Sequence, residues 1–275
     1  MKNFVRTTSK IAVCLLLVLV CVVLFSCQYN TWANKRRHIN SINHRGYNDA
    51  PENTLAAFRL SKEMGFNMVE CDVRFTKDNH PVILHDASVN RTSNGKGKIA
   101  EMTLEEVRQL DFGSWKSEQY AGELIPTFEE FIDLCVELEL HPYIELKNGV
   151  TAERAQILAK IVNDAEISVT WISFQKETIS TIAQQCPNAR VGLLTRLITD
   201  EDLRFLKKLS KNIEVFIDCK YTALTEDQIK LCKRRKIPLE VWTVNSENLI
   251  PEINPYITGV TSDCVNAQKI FNEMD

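Results

Sequence analysis

The chain has 275 residues and a formal net charge of -3, long enough for one large α/β domain and without the basic excess that nucleic-acid binding needs. Hydrophobic content of 44% and charged content of 25% place it among ordinary globular proteins. Anion binding, if present, is therefore the work of a local site and not of the whole surface.

The first 27 residues differ from the rest. Lys2, Arg6 and Lys10 precede an apolar run from Ile11 to Phe25, closed by Ser26 and Cys27. A basic start, a short apolar core and a small residue at its end describe a secretory leader. The run is shorter than the roughly 20 residues that a bilayer span needs. Leu24-Phe25-Ser26-Cys27 resembles a bacterial lipobox, in which the cysteine is lipidated. The expectation is a leader over 1–26, lipidation of Cys27 and export to the bacterial cell envelope as a membrane-anchored lipoprotein. A single N-terminal transmembrane anchor is the alternative. Residues 27–37 are polar and read as a tether, ahead of one body at 38–275.

Cys14 and Cys21 fall in the leader. Cys71, Cys135, Cys186, Cys219, Cys232 and Cys264 remain for the body, and none forms a CxxC pair, which argues against a zinc knuckle. They read as small buried core residues.

The body alternates strand and helix. Ile39–Asn43 is a short first strand, and Pro51–Met64 reads as a helix with proline in its first turn and Gly65 at its end. Met68–Phe75 is a strand, 77–80 a turn, and Pro81–Leu84 a further strand. The stretch 88–126 is irregular and reads as a small insertion over one mouth of the domain. Thr103-Leu104-Glu105-Glu106 within it is a capping box that opens a short helix. Thr127 to Glu130 is a second capping box, opening a helix to about Glu139, and Thr225 to Gln228 a third. Further strands are predicted at Pro142–Leu146, Val169–Phe174, Ala189–Leu194, Glu214–Asp218, Leu239–Val244 and Ile257–Ser262. Helices are predicted at 151–165, 176–185, 200–210, 225–236, 246–252 and 265–273. This repetition implies parallel strands with right-handed crossovers, and no GxGxxG or phosphate-loop motif marks an open sheet. The fold class is α/β, an eight-stranded (β/α)8 TIM barrel. Nine strand candidates are one too many, and the short turn at 77–80 suggests that one of its flanking strands lies outside the barrel order.

Chemistry gathers at strand ends, where such barrels place their active sites. Glu70 and Asp72 are two apart and share one face of a strand, with Val69, Cys71 and Val73 on the other. Glu145 and Lys147 repeat the spacing. Three carboxylates in one barrel mouth are costly unless neutralised, and a hard divalent cation with oxygen ligands neutralises them. His44 and His85 each follow a strand. No HxH or HxxxH spacing suits a metal, so general acid and base are the better roles.

Seven motifs then resemble, in order, the glycerophosphodiester phosphodiesterase family. They are His44-Arg45-Gly46, Pro51-Glu52-Asn53-Thr54, Glu70-Cys71-Asp72, His85-Asp86, Arg91-Thr92-Ser93-Asn94-Gly95, Glu145-Leu146-Lys147 and Val241-Trp242-Thr243-Val244-Asn245. The resemblance covers about residues 40–265. It implies a PLC-like phosphodiesterase barrel with an inserted subdomain in the position of 88–126, and metal-dependent hydrolysis of glycerophosphodiesters to sn-glycerol 3-phosphate and an alcohol. By the same resemblance, Glu70, Asp72 and Glu145 hold one Ca²⁺ or Mg²⁺, and His44 and His85 are the acid/base pair. Arg45 and Lys147 contact phosphate, and Trp242 walls the glycerol side. The family often ends in a Thr-Asp-x-Pro segment, where this chain has Ser262-Asp263-Cys264-Val265. The nucleophile is water or the glycerol 2-hydroxyl. Two other readings stay open: a phosphodiesterase for intact phospholipid or another headgroup, and a silent barrel that binds glycerol phosphates.

Overall fold

The computed structural model describes residues 38–274. The expected leader at 1–26, the lipidation site Cys27 and the tether at 27–37 lie outside the described residues. Among the described residues no helix is long and apolar enough to cross a membrane.

Eight parallel strands close into a barrel. They are β1 (Asn40–Asn43), β2 (Met68–Phe75), β4 (His141–Leu146), β5 (Thr170–Ser173), β6 (Arg190–Thr195), β7 (Glu214–Lys220), β8 (Leu239–Trp242) and β9 (Ile257–Ser262). Closure comes from β1, which pairs in parallel with both β9 and β2. The supernumerary strand is β3 (Pro81–Ile83). It runs antiparallel to β2 across the turn at 77–80 and lies outside the barrel order.

The period of two sorts each strand. Val69, Cys71 and Val73 of β2, Ile144 and Leu146 of β4, and Val191 and Leu193 of β6 face outward into the main core. There they meet the apolar stripes of α1 (Leu55–Glu63), α3 (Phe128–Glu137), α4 (Ala152–Asp164), α5 (Lys176–Gln185), α6 (Asp200–Leu209), α7 (Glu226–Arg235) and α8 (Ala267–Glu273). Phe58, Phe128 and Phe131 are fully buried between helix and barrel. At about 25 cal/mol per Å² of apolar surface, each such side chain contributes roughly 2 kcal/mol. Threonine caps start most of these helices. Boxes form at Thr103, Thr127 and Thr225 as the sequence predicts, and one more at Thr199 with Asp202 as its reciprocal partner. Each cap satisfies an otherwise orphaned helix N–H.

The barrel interior is filled at its amino-terminal end. Tyr143 and Phe216 are buried there with Ile42, and Ile172 and Leu194 continue the cluster upward to the level of Glu145 and Asp218. Arg190 of β6 donates to the Tyr143 hydroxyl at 2.8 Å and to Glu240 at 2.8 Å, and its guanidinium lies 4.0 Å from the Phe216 ring centre. Asn40 donates to the same Glu240 oxygen at 3.0 Å. Gly192 faces Phe216 so closely that a Cβ would stand 2.3 Å from the ring. The floor is thus a packed plug and not a pore.

Two elements differ from the sequence-based expectation. The first helix starts at Leu55, because Asn53 adopts a positive φ of 60° and Thr54 is the N-cap. The segment Glu247–Glu252 is a 3-10 helix with Pro251 inside it, where an α-helix would lose a backbone donor. Between β3 and α3, residues 88–126 hold a short α2 (Leu104–Val107). This segment has its own small core of Val89, Ile99, Val107, Phe112 and Ile125, closed by Val82 and Leu84. All six described cysteines are free thiols, four of them buried.

Candidate active site

Three carboxylates share the carboxyl-terminal half of the barrel. Asp72 and Glu145 are register partners on neighbouring strands, and Glu70 stands one inward position before Asp72. One oxygen from each lies within 4.8 Å of the others, and all three residues are buried. Burial and the nearby Asp72 charge push the Glu70 carboxyl up to about 8. Its Oε1 accepts no hydrogen bond among the described residues. Burial alone would raise Asp72 too, but Lys147 and Arg45 outweigh it and hold it well below the usual carboxylate range. Lys147 Nζ lies 2.7 Å from Asp72 and 2.6 Å from Glu145. Arg45 Nε lies 3.2 Å from Asp72. Two cations cannot keep three buried carboxylates ionised together without cost, and the orphaned Glu70 oxygen marks where the shortfall lies. An all-oxygen donor set of this kind fits a hard divalent cation.

The two histidines flank this cluster. His44, just after β1, has Nδ1 at 2.6 Å from Asp263 and Nε2 at 4.0 Å from Glu70. His85, just after β3, has Nδ1 at 2.7 Å from its neighbour Asp86. In both, the carboxylate accepts from Nδ1 and leaves Nε2 to face the site. Burial lowers the His44 pKa, but the Asp263 hydrogen bond and the Glu70 charge outweigh it and leave it raised. Burial also lowers His85, and Lys147 and Arg45 keep it low against the pull of Asp72.

The loop motifs have local physical reasons. Gly46 adopts φ +81°, and a Cβ there would stand 2.5 Å from that of Ala57, so α1 packs directly onto the loop. Asn53 clamps Asp72 at both ends: its amide nitrogen donates to Oδ2 at 2.8 Å and its oxygen accepts from the Asp72 N–H at 3.2 Å. Glu52 accepts from Arg45 at 3.0 Å and from Arg91 at 2.7 and 2.8 Å. Arg91 also donates to Asp86 at 2.7 Å, and that contact with His85 helps hold Asp86 down at about 2. One guanidinium from the 88–126 segment therefore ties the loop after β1 to the carboxylate that orients His85.

A cavity of about 280 Å³ opens over the carboxylates. His44, Arg45, Glu70, His85, Glu145 and Lys147 line one side. The opposite wall is mostly apolar, with Ile172, Phe174, Leu194 and Trp242, and it includes Asp218. The Phe174 and Trp242 rings meet edge to face at 5.7 Å. A second hollow of about 290 Å³ adjoins at His44 and Arg45 and reaches Glu52, Trp115, Lys116 and Asp263.

The structure brings together every body residue that the sequence singled out: His44, Arg45, Glu70, Asp72, His85, Glu145, Lys147 and Trp242. It adds Asp263, which sequence reasoning noted only as part of a departure from pattern. A carboxylate directly after β9, opposite a histidine directly after β1, was the available signal, since these strands meet at the barrel seam. Asp218 carried no such signal.

The glycerophosphoryl diester phosphodiesterase family model matches residues 44–267. The glycerophosphodiester phosphodiesterase of Caldanaerobacter subterraneus subsp. tengcongensis is 32% identical over 229 residues, covering 81% of this chain and 93% of that protein. One from Bacillus subtilis (strain 168) is 26% identical over 260 residues, covering 86% of each. Among solved structures, an Oleispira antarctica phosphodiesterase in complex with the product sn-glycerol-3-phosphate superposes with TM-score 0.78 at 29% identity. That match covers 86% of this chain and 96% of its own. With a closed barrel, an acidic triad between two oriented histidines and a family match over most of its length, this chain belongs to the glycerophosphoryl diester phosphodiesterase family, whose members are PLC-like phosphodiesterases.

Proposed function

We propose that the chain hydrolyses glycerophosphodiesters to sn-glycerol 3-phosphate and an alcohol with one divalent cation, Ca²⁺ or Mg²⁺. The observation that carries this reading is the convergence of two carboxylate-oriented histidines and three buried carboxylates on one cavity. The product bound to the Oleispira relative supports the substrate class.

Glu70, Asp72 and Glu145 would hold the cation, which when bound supplies Lewis-acid charge beside the phosphodiester. Arg45 and Lys147 donate to the phosphoryl oxygens and favour the more negative transition state over the ground state. One histidine accepts the proton of the nucleophile, and the other donates to the leaving alkoxide. Asp263 and Asp86 hold Nδ1 protonated, so that only Nε2 exchanges protons with the substrate. The shifts of His44 and His85 are opposed, His44 raised and His85 lowered, which favours a proton on one ring and not on the other, the pairing that this chemistry needs. Trp242 and Phe174 wall the organic part of the substrate. The nucleophile is water or the glycerol 2-hydroxyl, and a cyclic glycerophosphate seen during turnover would select the second.

The test is release of sn-glycerol 3-phosphate from glycerophosphocholine and glycerophosphoethanolamine. EDTA is expected to abolish it, and Ca²⁺ or Mg²⁺ to restore it. Release only from intact phospholipid, or none with any metal, overturns the proposal. Cation uptake should also depend on pH. Glu70 carries a proton below about 8, which the cation displaces, so affinity is expected to fall about tenfold per pH unit below that point. Calorimetry in buffers of different ionisation enthalpy counts the released proton.

Export and lipid anchoring through Cys27 complete the proposed role, supported by the basic start and short apolar run of residues 1–26. In a bacterial host, the wild-type chain is expected to incorporate labelled palmitate and Cys27→Ser to lose the label. Membrane association without label in the wild type would favour the single transmembrane anchor.

A further inference from the structure

Asp218 is a carboxyl out of place. It sits on the inner face of β7 and is 1% exposed. Its register neighbours are Leu194 and Glu240, and it lines the cavity among Ile172, Phe174, Leu194 and Trp242. Among the described residues no side chain or backbone group hydrogen-bonds its carboxyl, and Oδ1 is a buried acceptor without a donor. Glu240 beside it is already engaged through Oε1 by Arg190 and Asn40. An unpartnered carboxyl in an apolar wall costs more than an ordinary unmet hydrogen bond. Burial, then the charge of Glu240, raise it well above the carboxylate range, which favours the protonated form with both an O–H and an acceptor oxygen.

Arg45, Lys147 and the proposed metal ligands gather on the opposite side of the same cavity. A ligand whose phosphate lies between Arg45 and Lys147 therefore turns its organic part toward the wall of Phe174, Trp242 and Asp218. That wall offers a hydrocarbon face with the Asp218 carboxyl set into it, while Arg196, 5.5 Å from the Phe174 ring centre, and Thr243 also line the cavity. We propose that Asp218 recognises a hydroxyl of the substrate's polyol, selecting glycerol over an alkyl group of the same size. A polyol hydroxyl both donates and accepts, which matches a protonated carboxyl. An alkyl ligand would leave the carboxyl unmet, and this asymmetry is what gives hydroxyl-binding sites their discrimination. Asp218 is thus a specificity residue and takes no part in proton transfer. The inference rests on the glycerophosphodiester reading above.

The test compares the binding of sn-glycerol 3-phosphate and n-propyl phosphate, by calorimetry with saturating Ca²⁺ or Mg²⁺. The wild-type protein is expected to prefer the glycerol ligand by about tenfold or more. Asp218→Leu should cut that preference at least fivefold, with the change confined mainly to the glycerol ligand. Asp218→Asn keeps a donor and an acceptor and should retain most of the preference. A carboxyl that only shares a proton with Glu240 to hold the barrel together would alter thermal stability and leave the preference intact, and that result overturns the proposal. So does a wild-type protein that binds both ligands equally or binds neither. Failure of the broader reading is distinct, since it shows as no sn-glycerol 3-phosphate released from any glycerophosphodiester.

Discussion

His44→Ala and His85→Ala are each expected to lower kcat by about 10²–10⁴-fold, with a much smaller change in KM. In the proposed mechanism the two imidazoles transfer protons only as bonds to phosphorus form and break, so their loss would be felt in the transition state and little in binding. The wild-type pH profile should be bell-shaped. Activity falls at low pH as the base becomes protonated, and at high pH as the acid loses its proton. Each variant should lack one limb, which assigns the base and the acid separately. Bound cation offsets the Glu70 charge that helps to raise His44, so the profile belongs to the loaded enzyme. The double variant should cost far less than the product of the singles, because both groups serve one reaction. Near-normal turnover in His85→Ala would sink the two-histidine scheme. Asp263→Asn tests positioning: the amide can stabilise the wrong His44 tautomer, so kcat should drop while glycerol 3-phosphate binding persists.

Asp72→Asn should be the most damaging single change among the carboxylates, with kcat/KM down by about 10³-fold or more through loss of cation and of phosphate alignment. Asp72 is the hub of the site: it faces Lys147, Arg45 and Asn53 at once. Stability should suffer less than this connectivity suggests. Breaking a buried ion pair commonly costs about 3–5 kcal/mol. Here Lys147 keeps Glu145, Arg45 keeps Glu52, and Glu70 loses a like-charged neighbour. The net loss is expected to be on the order of 1–3 kcal/mol, read from denaturant midpoints of the metal-free protein. The pH dependence has a definite sign. Asp72 is depressed when folded, so its stabilisation is present above the unfolded carboxylate pKa of roughly 4 and is lost as pH falls through the folded value. Glu70, raised to about 8, acts oppositely and stabilises the fold less as pH climbs toward that value. The variant should therefore lose part of its acid-side dependence, and calcium should flatten the alkaline side of the wild type.

What was legible in the sequence was local. Period-two spacing placed Glu70 with Asp72, and Glu145 with Lys147, on inward faces, because a strand dictates facing regardless of its partners. Capping boxes located helix starts at Thr103, Thr127 and Thr225 for the same reason. Closure was less legible. His44 meets Asp263, and Arg190 meets Glu240, only because β1 joins β9 and because side chains cross the barrel interior. No periodicity records such meetings. Arg91 was visible within a motif, yet its task of binding both Glu52 and Asp86 depends on how the 88–126 segment folds back. The surplus strand could be suspected from a short turn, but only pairing shows that β3 is the one left outside.

The plugged floor has a consequence for traffic. Tyr143, Phe216, Arg190 and Glu240 close the lower end, so the site is a cul-de-sac with one doorway. Substrate, water and both products pass through the same opening. Whatever occupies the deepest position leaves last and bars the next arrival until it goes.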